Sequence, residues 1–383
     1  MLSLNRRAFV GIGALAAGAA GAAALLRSPG TDPGVYLNLR GPPGYRGGVT
    51  DPQQIADLYD DYALVATDLA TFAEIVVPVP FPAHGIASSA RAPALAILVE
   101  KWGRHCAAVD YAAGTILAVD QATADRQYIG HAAFAPDDAT IFVSEGHFPQ
   151  TPDGYARGII GVRDPRSLAL IREFPSHGEN PHECRLLSDG TTLAVCNQGT
   201  VNRFPPTATN LAFIDTRDGR LLEQLGIDRA DVCIAHMRLL PDDRVIAVTK
   251  TIDNSPESNQ LYVGGRGAGL ASLRLGADRH YPTEILSIDI DAPRGRVGVT
   301  NPEGGRVTFV DLTSREVLAT FERPGVLSIA LTLDGRFWIV AGVSTPVWII
   351  DAVSLEPDGE LAPDEFQAEF FTAPHATVGR RTA

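Results

Sequence analysis

The chain has 383 residues, 45% hydrophobic and 20% charged, which is ample for a large buried core. Its net charge of −13, from 32 basic and 45 acidic residues, argues against nucleic acid as a partner. No basic patch with interleaved aromatics follows residue 27.

The first segment, residues 1–30, reads as a targeting element rather than part of a fold. Arg6 and Arg7 precede Phe9, and an uncharged Ala/Gly/Leu stretch runs from Ala8 to Leu26. This resembles a twin-arginine export signal. Its weak hydrophobicity suits that route better than a transmembrane helix. A generic secretory signal or anchor is the alternative. The expectation is a periplasmic protein, exported folded, touching the membrane only if the signal is retained. Residues 31–383 are expected to form a single domain. Pro/Gly-rich linkers (RSPGTDPG, GPPGYRGG) come next, and a helix is plausible only over residues 51–62, DPQQIADLYDDY.

Beyond that point short apolar strands and turn signals alternate. One hairpin type recurs as HGIASSARAPALAILVE, HAAFAPDDATIFVSEG, HECRLLSDGTTLAVCNQG, HMRLLPDDRVIAVTK, LSIDIDAPRGRVGVTN and LSIALTLDGRFWIVAG. A second type lies between these copies: an apolar run ending in Asp, a turn, and another strand. Its aspartates are Asp68, Asp110, Asp164, Asp215, Asp311 and Asp351, with LYVGGRGAGLASLRL as a divergent copy. Both series repeat at roughly 40–55 residues, the period of a β-propeller blade. The expected fold is all-β, a seven-bladed β-propeller. The closing blade is built from both chain ends: HATVGRR supplies the innermost strand and GVYLNLR the next, which removes an open sheet edge.

Histidines fall at one place in this repeat. His84, His131, His182 and His236 each open an innermost strand, and His375 would open the closing one. Leu286 and Leu327 occupy the position in the other two blades. Five of nine histidines are therefore expected in an arc at one axial mouth. Neutral imidazoles in register suit a transition metal or an anion, and iron, copper or zinc better than calcium or magnesium. The bland alternative is that duplication copied a histidine that merely bonds the next blade's backbone. The expected ligand core is His131, His182 and His236, with Glu183 or Glu145 assisting. His84 and His375 are expected in an outer shell, because a wide mouth would keep five blades apart. Metal binding is expected to weaken as pH falls through about 6.5, the ordinary histidine value. The loop residues His147, His177, Glu179, Asn197, Lys250 and Asn301 are expected around the same funnel, though each alone is commonly a solvated loop residue.

Cysteine is scarce. Cys106, Cys184, Cys196 and Cys233 form no CxxC and no CxxCH, so neither a thioredoxin motif nor covalent haem attachment is offered. Cys196 and Cys233 could join a metal site, pair as a disulfide or be inert, with the last two favoured.

Taken together, the arginine-pair leader, PAHGIA, GHAAFAPDD, FPSHGENPHE and LLSDGTTLAVCNQG resemble the bacterial domain-of-unknown-function 1513 family over nearly the whole chain after the signal. The spacing between His177 and His182 and the degenerate ARAPAL hairpin depart from its pattern. The resemblance implies an exported propeller-like protein. It also implies a setting in iron handling, with imelysin-like or di-haem peroxidase-like proteins as partners. Two other functions compete with metal binding. One is a propeller enzyme, a lactonase-like hydrolase or oxidoreductase subunit, although HExxH, GxSxG, GxGxxG after a strand and a P-loop are all missing. The other is a protein-docking scaffold.

Overall fold

A computed structural model describes residues 26, 31–41, 62–147, 157–199, 207–251, 259–276, 280–342, 347–361 and 375–381. The targeting segment and the expected helix at 51–62 fall outside these residues, apart from Leu26 and Tyr62. Among the described residues the ordered elements are antiparallel strands and one 3₁₀ turn, Ala292–Arg294. The fold is an all-β propeller.

The recurring aspartate has a local cause. Each ends the third strand of a unit and folds its carboxylate over the next turn. Asp164 Oδ1 accepts the amides of Arg166 and Ser167 at 3.0 and 2.7 Å. Asp311 and Asp351 repeat this on Thr313 and Ser314, and on Val353 and Ser354. Such side-chain-to-backbone bonds specify a tight turn. The residue four places on is left-handed in every copy: Phe72, Gly114, Leu168, Gly219, Arg315 and Leu355. The divergent copy has lost its aspartate to Gly265 but keeps a left-handed Gly269 at φ +70°. The turn therefore survives the loss of its capping side chain.

Five sheets have four strands each. One of them takes Thr377–Gly379 from the C-terminal end, then Val35–Arg40, Ala63–Asp68 and Glu74–Pro78. Val35 pairs with Gly379 and Leu37 with Thr377, so the two ends of the domain share one blade. Tyr111 locks the joint by donating its hydroxyl to the Arg380 carbonyl at 2.8 Å.

The expectation of seven separate blades is corrected here. The remaining eight strands, from Ala83–Ser88 to Leu170–Glu179, form one hydrogen-bonded sheet. The physical reason is an overrun. Leu95–Gly103 extends past its hairpin and pairs with the start of Arg126–Phe134, through Lys101 with Ile129 and Gly103 with Tyr128.

The core is divided among apolar clusters, each packed between neighbouring four-strand units. Phe213, Ile234 and Met237 fill one such gap, and Phe309, Ile329 and Trp338 fill another. One cluster, containing Val99, Tyr128 and Val143, lies between the two halves of the eight-stranded sheet. Each fully buried Val, Leu, Ile or Phe contributes about 1.5–3 kcal/mol, so the ring is held by its seams rather than by a central plug of hydrocarbon. The axis is left to polar groups.

Candidate metal centre

The inner strands begin irregularly. The pairing register slips between Ala83 and Gly85, Tyr128 and Ala132, Pro181 and Glu183, and Ile234 and His236. Each slip is a bulge at or beside a histidine. A bulge re-aims one side chain and tightens local twist, and here it turns the imidazole toward the axis. Two glycines make room for this. A Cβ on Gly85 would stand 2.1 Å from the Gly130 carbonyl oxygen and 2.9 Å from His131 Nδ1. A Cβ on Gly130, at φ +126°, would stand 2.8 Å from His84 Cδ2.

All five register histidines, His84, His131, His182, His236 and His375, are buried and meet on the axis. The His236 and His375 ring centroids are 4.0 Å apart, His182 and His236 4.6 Å, and His131 and His182 4.8 Å. His84 lies 5.0–5.3 Å from His375, His131 and His182. The expected wide mouth is therefore corrected: a closed cluster spans the channel. The expected split into an inner three and an outer two is corrected as well. His84, His131, His182 and His375 place one ring nitrogen each within 4.8 Å of one another. His131, Glu183 and His236 form a second such group, so His131 belongs to both.

One nitrogen on every ring lacks a hydrogen-bond partner among the described residues: Nε2 of His84, His131, His182 and His375, and Nδ1 of His236, which faces the Glu183 carboxylate at 3.3 Å. Buried polar atoms without partners are rare because each costs desolvation energy with no return. His182 shows how the ring is set. Its Nδ1 lies 3.0 Å from the Ile129 carbonyl, so Nδ1 carries the proton and Nε2 keeps its lone pair. Ligands about 2.0–2.2 Å from an ion stand roughly 3–4 Å from each other, a separation that falls inside the 4.8 Å limit within which these atoms lie. The residues present thus fit a transition-metal ion. An all-imidazole set with one carboxylate nearby favours zinc, copper or iron over hard cations.

Glu183 is held from several sides. Its Oε1 accepts Arg185 Nε at 2.9 Å and Arg238 Nη1 at 3.2 Å, and its Oε2 accepts the Met237 amide at 2.9 Å. His236 Nδ1 stands 3.3 Å from Oε2 without the alignment of a hydrogen bond. Burial pushes the Glu183 carboxyl up, but Arg185, His236, His131 and Arg238 outweigh it and hold it well below the usual range. Burial lowers all five imidazoles, and the field of Lys101 lowers each further. Lys101 itself is brought down to about 8, first by burial and then by Lys250. Both lysines flank the ring of Trp102, at 4.8 and 5.9 Å from its centroid. Trp102 is 42% exposed and held at φ +56°, a strained conformation for a bulky residue.

These shifts correct the expected pH window. The folded histidines release their protons well below 6.5, so they are free to bind metal across that value. The sign for stability is also set. Below about 6.5 the unfolded chain takes up protons that the buried rings refuse, so metal-free stability is full above that pH and falls on acidification. The expected result is a melting temperature that is flat from pH 8 to 7 and drops steadily between pH 6.5 and 5, read by circular dichroism. A melting temperature constant to pH 5 would contradict the burial.

Other expected site residues lie elsewhere or do structural work. Glu145 is fully buried, but it is bound by Arg163 at 2.8 Å and Arg126 at 3.1 Å and belongs to neither ligand group. His177 and Glu179 sit on the outermost strand Leu170–Glu179, where His177 Nε2 meets the Gly219 carbonyl at 2.8 Å and Glu179 accepts Thr207 Oγ1 at 2.8 Å. Asn197 is a buried clamp between Ser176 and Asn210. Asn301 donates to the Pro282 and Glu284 carbonyls. His147 ends the strand Ile141–His147, paired opposite Arg126. Lys250 pairs with Glu284 through an isolated bridge, beside Trp102. The four cysteines are free and buried. Burial raises the Cys184 thiol to about 12 and Cys233 to about 11, so they are protonated and inert at neutral pH.

The sequence reading does not reach Lys101, Arg185 and Arg238; Arg185 and Arg238 lie three and two residues after the register histidines His182 and His236, a spacing that could have flagged them, while Lys101 carries no such signal.

A family model described as "Protein of unknown function (DUF1513)" matches residues 77–362. No curated protein matches the chain. Among solved structures the chain is similar to Kuenenia stuttgartiensis hydrazine synthase, with a TM-score of 0.63 and 17% identity over 76% of this chain and 90% of that one. At that identity the likeness speaks for the propeller fold alone.

Proposed function

The chain belongs to the DUF1513 family of proteins of unknown function, and from that premise we propose that it is an exported β-propeller that binds a transition-metal ion on its axis. The observation that carries this is the set of five buried imidazoles, four of which leave Nε2 without a hydrogen-bond partner while the fifth, His236, faces the Glu183 carboxylate. Such a cluster pays desolvation in the metal-free state and is relieved when an ion accepts the lone pairs. His84, His131, His182 and His375 would hold the ion, with His236 and Glu183 beside it. When bound, the ion would act as a Lewis acid; the protein's part is to keep the rings neutral, oriented and dry. The test is elemental analysis of the untagged mature protein, purified from a host with active twin-arginine export. Stoichiometric iron, copper or zinc supports the reading. Failure to take up any of the three at neutral pH overturns it and puts the docking-scaffold reading first.

We also read the eight-stranded sheet as two blades, which makes a seven-bladed ring. The support is that both halves repeat the four-strand order, join at two residue pairs, and enclose an apolar cluster like those at the other seams. Export rests on Arg6 and Arg7. The double change Arg6→Lys, Arg7→Lys is expected to abolish periplasmic accumulation in cell fractionation, because that pathway reads the arginine pair. Unimpaired accumulation would contradict it. Iron handling beside imelysin-like or di-haem peroxidase-like proteins is part of the same proposal; native loading with zinc or copper alone would remove it.

A further inference from the structure

A cavity of about 660 Å³ leads to the histidine cluster and is lined at its inner end by His131, His375 and Glu183. Its walls mix apolar side chains, Ile86, Phe134, Leu187, Leu239, Leu331 and Val378 among them, with charged and polar groups that make up more than half of the exposed surface. Its size is that of a small-molecule site. Among the polar groups stand two guanidinium groups, Arg185 and Arg238, from consecutive sheets.

The two arginines converge on one oxygen. Glu183 Oε1 accepts Arg185 Nε at 2.9 Å and Nη2 at 2.5 Å, and Arg238 Nη1 at 3.2 Å. Arg238 Nε also reaches Asp289 Oδ1 at 3.3 Å. Neither carboxylate is idle: Glu183 Oε2 accepts the Met237 amide, and Asp289 Oδ2 accepts the Leu331 amide at 2.8 Å. Asp138, also on the lining, accepts the Ser89 hydroxyl and the Arg91 and Ala92 amides on its Oδ2. Arg185 Nη1 and Arg238 Nη2 have no hydrogen-bond partner among the described residues. Two cations thus share two carboxylates that are partly spent on backbone, in a chamber that also carries apolar side chains. A guanidinium fork recognises carboxylate geometry best.

We propose that this cavity binds a small organic anion, a carboxylate on an apolar body, with its charged end on Arg185 and Arg238. The apolar body lies along the Leu and Ile walls, and the anion reaches the imidazole cluster from the cavity side. The link to metal rests on the function proposed above: the local charges, two cations and two anions, balance without an ion, so a bound cation adds positive charge and tightens the anion. By linkage the anion tightens the metal equally.

The test uses benzoate as probe and benzyl alcohol as its neutral counterpart, titrated calorimetrically into the folded protein, metal-free and zinc-loaded. Benzoate is expected to bind at least about tenfold more tightly than the alcohol, as a hydrogen bond to a charged group implies. Arg185→Gln and Arg238→Gln are each expected to lose about tenfold in benzoate affinity and leave the alcohol unchanged. Equal affinity for acid and alcohol in the wild-type protein overturns the proposal without reference to any variant. So does wild-type benzoate affinity in both folded variants. If the protein takes up no zinc yet keeps the acid preference and its arginine dependence, the anion site stands and the metal reading falls. If zinc loads without altering benzoate affinity, the coupling is overturned.

Discussion

If the axis binds a transition-metal ion as proposed, His131→Ala is expected to lower its affinity by more than about 100-fold, beyond the range seen when a group that merely orients a ligand is lost. His131 is the one residue common to both ligand groups, so its removal strips a nitrogen from each. His182→Ala removes a ligand from the four-histidine group alone and is expected to cost most of the affinity there. His236→Ala, which touches the other group, is expected to cost less. The fold tolerates these changes, because the rings face the axis while the apolar seams lie between sheets. Competition against a chromogenic chelator measures the constants, and circular dichroism checks the fold. Equal metal affinity in His131→Ala and wild type would remove His131 from the centre and leave the cluster without its shared ligand.

Glu145→Ala has its large effect on stability instead. Glu145 is wholly buried and neutralises Arg163, whose side chain is 5% exposed, through contacts of 2.8 Å to Nε and 3.3 Å to Nη2. Truncating Glu145 leaves Arg163 only the partly exposed Asp120, at 3.3 Å, so the expected loss is at most the roughly 3–5 kcal/mol of a fully unpaired buried charge. The double change Glu145→Leu, Arg163→Met removes both charges and is expected to recover most of that loss. Urea denaturation reads both, and metal uptake is expected to be unchanged in Glu145→Ala once folded. A single mutant as stable as wild type, or one that loses metal while keeping stability, would return Glu145 to the metal centre.

The difference between these two glutamates explains much of what could be read in advance. Glu183 directly follows the register histidine His182, whereas Glu145 follows the run IFVS two residues before His147, and both are ligand candidates on sequence. Neither neighbourhood says which distant partners claim the carboxylate. The partners that do, Arg185 and Arg238 for one and Arg163 and Arg126 for the other, come from residues 2 to 55 positions away. Asn197 and Asn301 show the same limit: the chain places them at strand ends, and only the fold brings the carbonyls and amides they bond. The aspartate turns were legible because their whole mechanism lies within five residues, from the carboxylate to the left-handed position.

The repeat period, the turn chemistry, the histidine register and the sharing of one blade between both ends follow from the chain alone. Each depends on local bonding and on a pattern copied along the sequence. Ring geometry decided the rest. Register shifts on four inner strands, and two glycines where backbone meets imidazole, brought each of the five rings within 6.5 Å of at least three others rather than around an open mouth. The overrun of Leu95–Gly103 merged two units into one sheet, and burial moved the imidazoles out of their ordinary pH range. None of these is written in any single repeat. They arise only when the units close around an axis, where packing fixes how near the inner strands approach and how much water is left between them.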